Sequence, residues 1–159
     1  MFGILKKEFE LIAPIDGMVI PLSEVKDPVF AEKMAGDGVA IDPSGDIIKA
    51  PASGKLSLVF RTNHALGMIL PNGIELLVHI GIDTVQLDGK GFERLVEEGT
   101  DVKVGDPLIK IDKKFIESKG YSLVTPVLIT NTSILKDIEY KTGFNAVSGK
   151  DVILNYKTK

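Results

Sequence analysis

The 159-residue chain contains no cysteine, no tryptophan and only two histidines, His64 and His79. Without cysteine there is no disulfide scaffold, no thiol nucleophile and no cysteine-built zinc site. Basic and acidic residues number 19 and 22, a formal charge of −3, so the chain lacks the basic excess expected of a nucleic-acid binder. No stretch approaches the roughly 18 apolar residues that a membrane-spanning helix needs. Three catalytic signatures are missing too. There is no G-x-S-x-G nucleophile elbow and no G-x-x-x-x-G-K-[ST] phosphate loop. Gly36-Asp37-Gly38 lacks the third glycine and the following helix of a dinucleotide fingerprint. Nucleophilic chemistry by a strong side-chain base therefore falls to two imidazoles.

What the chain does have is punctuation. Sixteen glycines and eight prolines separate short apolar runs rich in β-branched residues, such as LSLVF (56–60), ELLVHI (75–80) and DVILNY (151–156). Turn signals lie between many of them, among them Pro43-Ser44-Gly45, Pro71-Asn72-Gly73 and Asp88-Gly89. Nine or more such runs predict an all-β fold, an antiparallel sandwich or barrel, in one domain spanning 1–159. Helical signal is confined to residues 92–98 (FERLVEE) and 113–119 (KKFIESK), each followed by glycine. The opening MFGILKKEFE carries its lysines after its apolar patch and no small-residue cleavage site. It reads as a loosely ordered terminus over 1–10 or a short amphipathic helix touching a membrane surface, and the protein as cytoplasmic.

One internal repeat is visible. Ala13-Pro14-Ile15-Asp16-Gly17 and Ala50-Pro51-Ala52-Ser53-Gly54 share the pattern A-P-x-x-G. A weaker pair is Val104-Gly105-Asp106 and Ser148-Gly149-Lys150, each a glycine turn feeding an apolar strand. Either a sheet is reusing its turn chemistry or two similar β units are packed face to face.

The histidines flank a hairpin signal. A two-residue Asn72-Gly73 turn makes paired numbers sum to 145, which puts His64 opposite Gly81 and diagonal to His79. Diagonal neighbours lie about 7–8 Å apart, within reach of two rings. A three-residue loop changes the sum to 144 and flips the parity. Three readings stay open on these residues alone. The histidines are unrelated and each satisfied by a carbonyl, or they share a metal with a carboxylate such as Asp83, or one attacks phosphorus while the other donates to the phosphoryl oxygens.

Longer runs carry a resemblance. Thr62-Asn63-His64-Ala65 and LLVHIGIDTV (76–85) resemble the glucose-type IIA domain of the bacterial phosphoenolpyruvate-dependent sugar phosphotransferase system. So do DPVFAEKM (27–34) with Gly36-Asp37-Gly38, Leu87-Asp88-Gly89 with Gly91-Phe92, VKVGD (102–106), and the strand ending Thr130-Asn131. The match runs over about 10–155, and the VHIGIDTV run is its most specific part.

The resemblance implies a β-sandwich of duplicated hybrid-motif type and a phosphocarrier. His79 would accept a phosphoryl group through Nε2 from the histidine phosphocarrier HPr. It would pass the group to a cysteine on the IIB domain of a sugar permease, with no cofactor required. His64 would hydrogen-bond the phosphoryl oxygens, with Thr62 orienting His64 and the Gly81 carbonyl orienting His79. A partner-binding patch is implied at Val29, Phe30, Ala35, Phe60, Leu77 and Val85. Ala35 and Leu77 stand where the family often has Val and Phe. Acidic Asp27 and Asp83 flank the site. A second implied role is a regulatory module that binds protein targets according to phosphorylation state and shares zinc between His64, His79 and a partner's carboxylate.

Overall fold

The structure is a computed structural model that describes residues 7–159. The chain runs β1 (Phe9–Ile12), β2 (Gly17–Pro21), α1 (Pro28–Ala31), β3 (Asp37–Pro43), β4 (Ile47–Lys49), β5 (Gly54–Val59), β6 (Ala65–Ile69) and β7 (Glu75–His79). It continues through β8 (Phe92–Arg94), β9 (Asp101–Val102), β10 (Pro107–Ile111), α2 (Lys113–Ser118), β11 (Thr125–Ile129), β12 (Leu135–Tyr140), β13 (Asn145–Ala146) and β14 (Val152–Thr158). The main sheet has eight strands in the order β13-β2-β3-β11-β7-β6-β5-β9, and two three-stranded sheets, β1-β14-β12 and β4-β10-β8, accompany it. Every pairing is antiparallel. The expected antiparallel sandwich is what forms.

The A-P-x-x-G repeat is a structural duplication. Ile12 N–H donates to the Pro51 carbonyl (2.8 Å), and Lys49 N–H donates to the Pro14 carbonyl (2.6 Å). The weaker glycine pair closes the same arrangement. Gly149 N–H donates to Ala13 and Gly105 N–H to Ala50, at 3.0 and 2.9 Å. Each copy therefore receives its glycine turn in the same place, and the two copies exchange backbone bonds across their start points.

Strand alternation builds two cores on opposite faces of the main sheet. Val39 and Ile41 of β3, Leu76 and Val78 of β7, and Val127 and Ile129 of β11 enter the large core. Their neighbours Ala40 and Leu128 belong to a smaller cluster with Leu22, Val25 and Phe30, against which Leu77 packs. His79 shares Leu77's parity, so it rises beside the small cluster. The four-residue α1 cannot persist alone. It is held by burial of Phe30, worth about 1.5–3 kcal/mol. At its start Asp27 Oδ1 accepts from Val29 N–H at 3.0 Å, and Pro28 occupies the first turn.

Three local expectations need amending. Residues 92–98 are not a helix: Phe92–Arg94 form β8, paired with Phe92 opposite Ile111 and Arg94 opposite Ile109. The sheet's ladder outweighs the weak helical propensity of so short a run. The second short helix is α1, and α2 forms as expected with Asp112 accepting from Phe115 N–H at its start (3.1 Å). Of the terminal segment 1–10, Phe9 and Glu10 are strand residues paired with Tyr156 and Asn155, while the first six lie outside the described residues. Among the described residues no helix is long and apolar enough to cross a membrane.

Candidate functional site, a buttressed histidine pair

The β6–β7 hairpin is out of step with the simplest turn. Ala65 faces His79 and Ile69 faces Glu75, a register sum of 144 rather than 145. The loop has three residues, Pro71 to Gly73, closed by Leu70 N–H to the Ile74 carbonyl and Gly73 N–H to the Leu70 carbonyl (both 2.9 Å). Gly73 takes a φ of 88° that side chains disfavour. Asn72 is occupied elsewhere: its Oδ1 accepts from Ile74 N–H and its Nδ2 donates to the Tyr156 hydroxyl. These bonds fix the longer loop.

The parity flip does not separate the histidines, because His64 stands just before β6. Asn63 adopts a left-handed φ of 57°, so strand alternation stops short of His64. The His64 carbonyl still accepts from Ile80 N–H (2.7 Å). The two imidazole centroids lie 5.1 Å apart at an interplanar angle of 83°. Phe30 sits 5.0 Å from His79 and Phe60 sits 5.2 Å from His64, making a row of four rings.

Each imidazole is oriented through Nδ1. Nδ1–H of His79 donates to the Gly81 carbonyl at 2.7 Å. A carbonyl can only accept, so Nδ1 carries the proton and Nε2 keeps its lone pair. Gly81 has a φ of 79°, and a Cβ there would lie 2.6 Å from both the Ser122 carbonyl and Thr84 Cγ2. The Ser122 carbonyl in turn accepts from Ile82 N–H (3.0 Å) and Thr84 Oγ1 donates to the Ile80 carbonyl. Only glycine fits this crowded left-handed position, and the crowding holds its carbonyl toward His79. Thr62 Oγ1 meets His64 Nδ1 at 2.5 Å. A hydroxyl can give or take a proton, so this contact is compatible with either His64 tautomer.

Burial holds both rings neutral. His64, 4% exposed, has its pKa pushed down to about 4 by desolvation and by His79. His79 is also lowered, chiefly by burial, against the opposing pull of its Gly81 bond and of Asp27 and Asp83. Because His64 binds its proton more weakly folded than unfolded, its contribution to stability is intact above about pH 6.5. It declines as the pH falls toward about 4 and is flat below. An NMR titration of the ring nitrogens should give a His64 midpoint near 4. A midpoint near the ordinary value of about 6.5 would show that the ring is not desolvated.

The remaining expected residues divide by exposure. Val29, Phe60 and Val85 are exposed apolar groups, with Met34 the most exposed of all at 72%. Met34 N–H bonds back to the Val29 carbonyl (3.0 Å), so both belong to one turn. Phe30 is buried beneath His79, and Ala35 and Leu77 pack on the small cluster, so these three shape the floor. Asp27 and Asp83 are both near enough to raise the His79 pKa, and they give the site an acidic border. Met34 lies inside the resembling run yet stood outside the expected set, and its turn contact with Val29 is what links it to that set.

Arg94 and Asn63 were not legible as site residues either. Arg94 Nε donates to Asn63 Oδ1 (2.8 Å) and its Nη2 donates to the Phe60 carbonyl (3.2 Å). Among the described residues no group of three or more His, Cys, Asp or Glu side chains is arranged to hold a metal. His64 and His79 offer two imidazoles, and a tetrahedral zinc here would take its other ligands from a partner.

A duplicated β-sandwich presenting two neutral imidazoles on a floor of apolar side chains is a scaffold for group transfer between proteins. The comparisons say which one. The family profile "phosphoenolpyruvate-dependent sugar phosphotransferase system, EIIA 1" matches residues 9–135, and the chain belongs to that family. It is 43% identical over 158 residues to a "PTS system glucose-specific EIIA component" of Staphylococcus epidermidis, covering 98% of this chain and 95% of that one. A protein of the same description from Bacillus anthracis is 42% identical, with 100% and 98% covered. The solved glucose permease IIA of Mycoplasma capricolum superposes with a TM-score of 0.88 at 41% identity, covering 97% of this chain and 99% of that one.

Proposed function

We propose that the protein is a phosphocarrier that works in the cytoplasm through a phosphohistidine at His79. The observation that carries this is the Nδ1–H bond to the Gly81 carbonyl, which leaves Nε2 as the free nucleophilic nitrogen. Phospho-HPr is the donor. The Nε2 lone pair forms the new P–N bond as the donor's P–N bond breaks, and the donor nitrogen keeps the bonding pair. A cysteine thiolate on the IIB domain of a sugar permease then attacks phosphorus, and the electron pair returns to Nε2. In the unphosphorylated protein His64 is neutral, and with Thr62 donating to Nδ1 it turns Nε2–H toward the incoming phosphoryl oxygens. Such transfer asks for positioning and charge stabilisation, and no cofactor enters it.

The surroundings suit that task. Val29, Met34, Phe60 and Val85 are exposed apolar groups that suit a docking border, and covering such a border excludes water from the labile bond. Asp27 and Asp83 add negative charge, which favours a basic partner surface. The relatives' names make a glucose permease the first acceptor to try.

Incubation with phosphoenolpyruvate, enzyme I and HPr should add one phosphoryl group, stable in alkali and lost in acid. Phosphorus–nitrogen coupling in the product should place it on His79 Nε2. No uptake, or uptake in an acyl phosphate, would overturn the reading.

A further inference from the structure

The loop that carries His64 is held from outside its own hairpin. Residues 60–64 join β5 to β6 and contain Phe60, whose ring faces His64, and Thr62, whose hydroxyl meets His64 Nδ1. Within the loop, Asn63 N–H donates to the Phe60 carbonyl (2.7 Å), and Asn63 occupies the left-handed region. An asparagine tolerates that conformation but does not enforce it.

The end of β8 and the segment after it supply the enforcement. Nε of Arg94 donates to Asn63 Oδ1 and its Nη2 to the Phe60 carbonyl, one fork spanning both ends of the turn. One turn's length later, Glu98 Oε1 accepts from Val59 N–H (2.8 Å) at the end of β5. Arg94's remaining partner, Glu97, is 3.8 Å away with its side chain 85% exposed, and contributes little. Arg94 itself is anchored in a paired strand opposite Ile109. Its fork therefore transmits the position of a fixed strand to the His64 loop. His79 takes its orientation from a different source, the Gly81 segment buttressed by Ser122 and Thr84.

We propose that Arg94, acting through Asn63 and the Phe60 carbonyl, is a positioning residue for His64 and leaves His79 untouched. The reading of His64 as phosphoryl stabiliser underlies the functional half of this proposal. The structural half concerns one imidazole in the unphosphorylated protein.

Arg94→Gln removes the fork while keeping a polar side chain. The expected spectroscopic result is that the His64 ring nitrogens move toward averaged-tautomer shifts, while the His79 nitrogens keep the Nδ1–H pattern. Uptake from HPr should stay within about twofold, and kcat for transfer to the IIB domain should fall about ten- to a hundredfold with KM unchanged. Arg94→Lys keeps the charge but cannot span both acceptors, so it should not restore the rate. Asn63→Gly keeps the left-handed turn and deletes only the Nε acceptor. It should shift the His64 nitrogens the same way by less, and adding it to Arg94→Gln should change little further.

Unchanged His64 shifts in both variants would overturn the proposal, as would equal movement of the His79 signals or full recovery with lysine. If the unmodified chain takes up no phosphoryl group, the functional reading fails, and the ring shifts still decide whether Arg94 positions His64.

Discussion

A His79→Gln protein should take up no phosphoryl group from phospho-HPr under conditions that load the unmodified chain completely. A glutamine amide has no nitrogen lone pair to offer phosphorus, so the nucleophile is lost outright, and uptake should fall by at least about 10³-fold. His64 is a poor substitute, because it is only 4% exposed. The substitution also deprives the Gly81 carbonyl of its donor, a cost of about 1 kcal/mol. That is small beside the roughly 5–15 kcal/mol by which domains are stable, so the fold survives and loss of uptake reports chemistry. Labelled phosphoenolpyruvate with enzyme I and HPr measures it, with an unaltered backbone amide spectrum as the control. Uptake at the unmodified rate would move the acceptor to another residue.

Much of this site could be read before the fold was known, and the parts that could not share one physical reason. Short β-branched runs and the glycine and proline turns between them point to the all-β class, because each strand needs only its own residues to declare itself. The A-P-x-x-G repeat pointed to duplication, and the reciprocal Ile12–Pro51 and Lys49–Pro14 bonds bear it out. Of the two hairpin registers open to the sequence, the three-residue loop with a sum of 144 is the one that forms. Asn72-Gly73 is a good two-residue turn in isolation, but here Asn72 is claimed by Tyr156, 84 positions away. The pair survived because Asn63's left-handed backbone takes His64 out of the alternation, which no periodicity argument could show.

Residues 92–98 went wrong for the same reason. Arg94 and Glu98 are four apart, a helical spacing, yet both reach the end of β5 and the loop after it, to Phe60, Asn63 and Val59. Contacts of that separation are invisible to local propensity. Exposure is equally non-local. It divides the expected residues into buried Phe30 and exposed Val29 and Val85, and shows Met34, in Val29's turn, exposed as well.

The second large effect separates the two histidines. His64→Gln should still take up a phosphoryl group at His79, within about tenfold of the unmodified rate, but pass it to the IIB cysteine about 10²–10³-fold more slowly. The asymmetry comes from the charge on the attacking group. On the proposed mechanism the nucleophile in uptake is a neutral imidazole, held in the right tautomer by Gly81, and His64 would serve only to bond oxygens that are already charged. A glutamine side chain can offer an N–H to those oxygens in part. In delivery the nucleophile is an anionic thiolate approaching an anionic phosphoryl group, so repulsion must be offset at the transition state. The free protein holds His64 neutral, with its pKa near 4. A phosphoryl dianion on the adjacent ring, 5.1 Å away between centroids, favours a protonated His64 and raises that value. His64 can then meet the thiolate's charge with an imidazolium, and glutamine can never become a cation. Single-turnover transfer from the purified phosphoprotein to a IIB domain measures delivery apart from uptake. Equal losses in both steps would show that His64 supports the site's structure, and a loss confined to uptake would reverse the assigned roles.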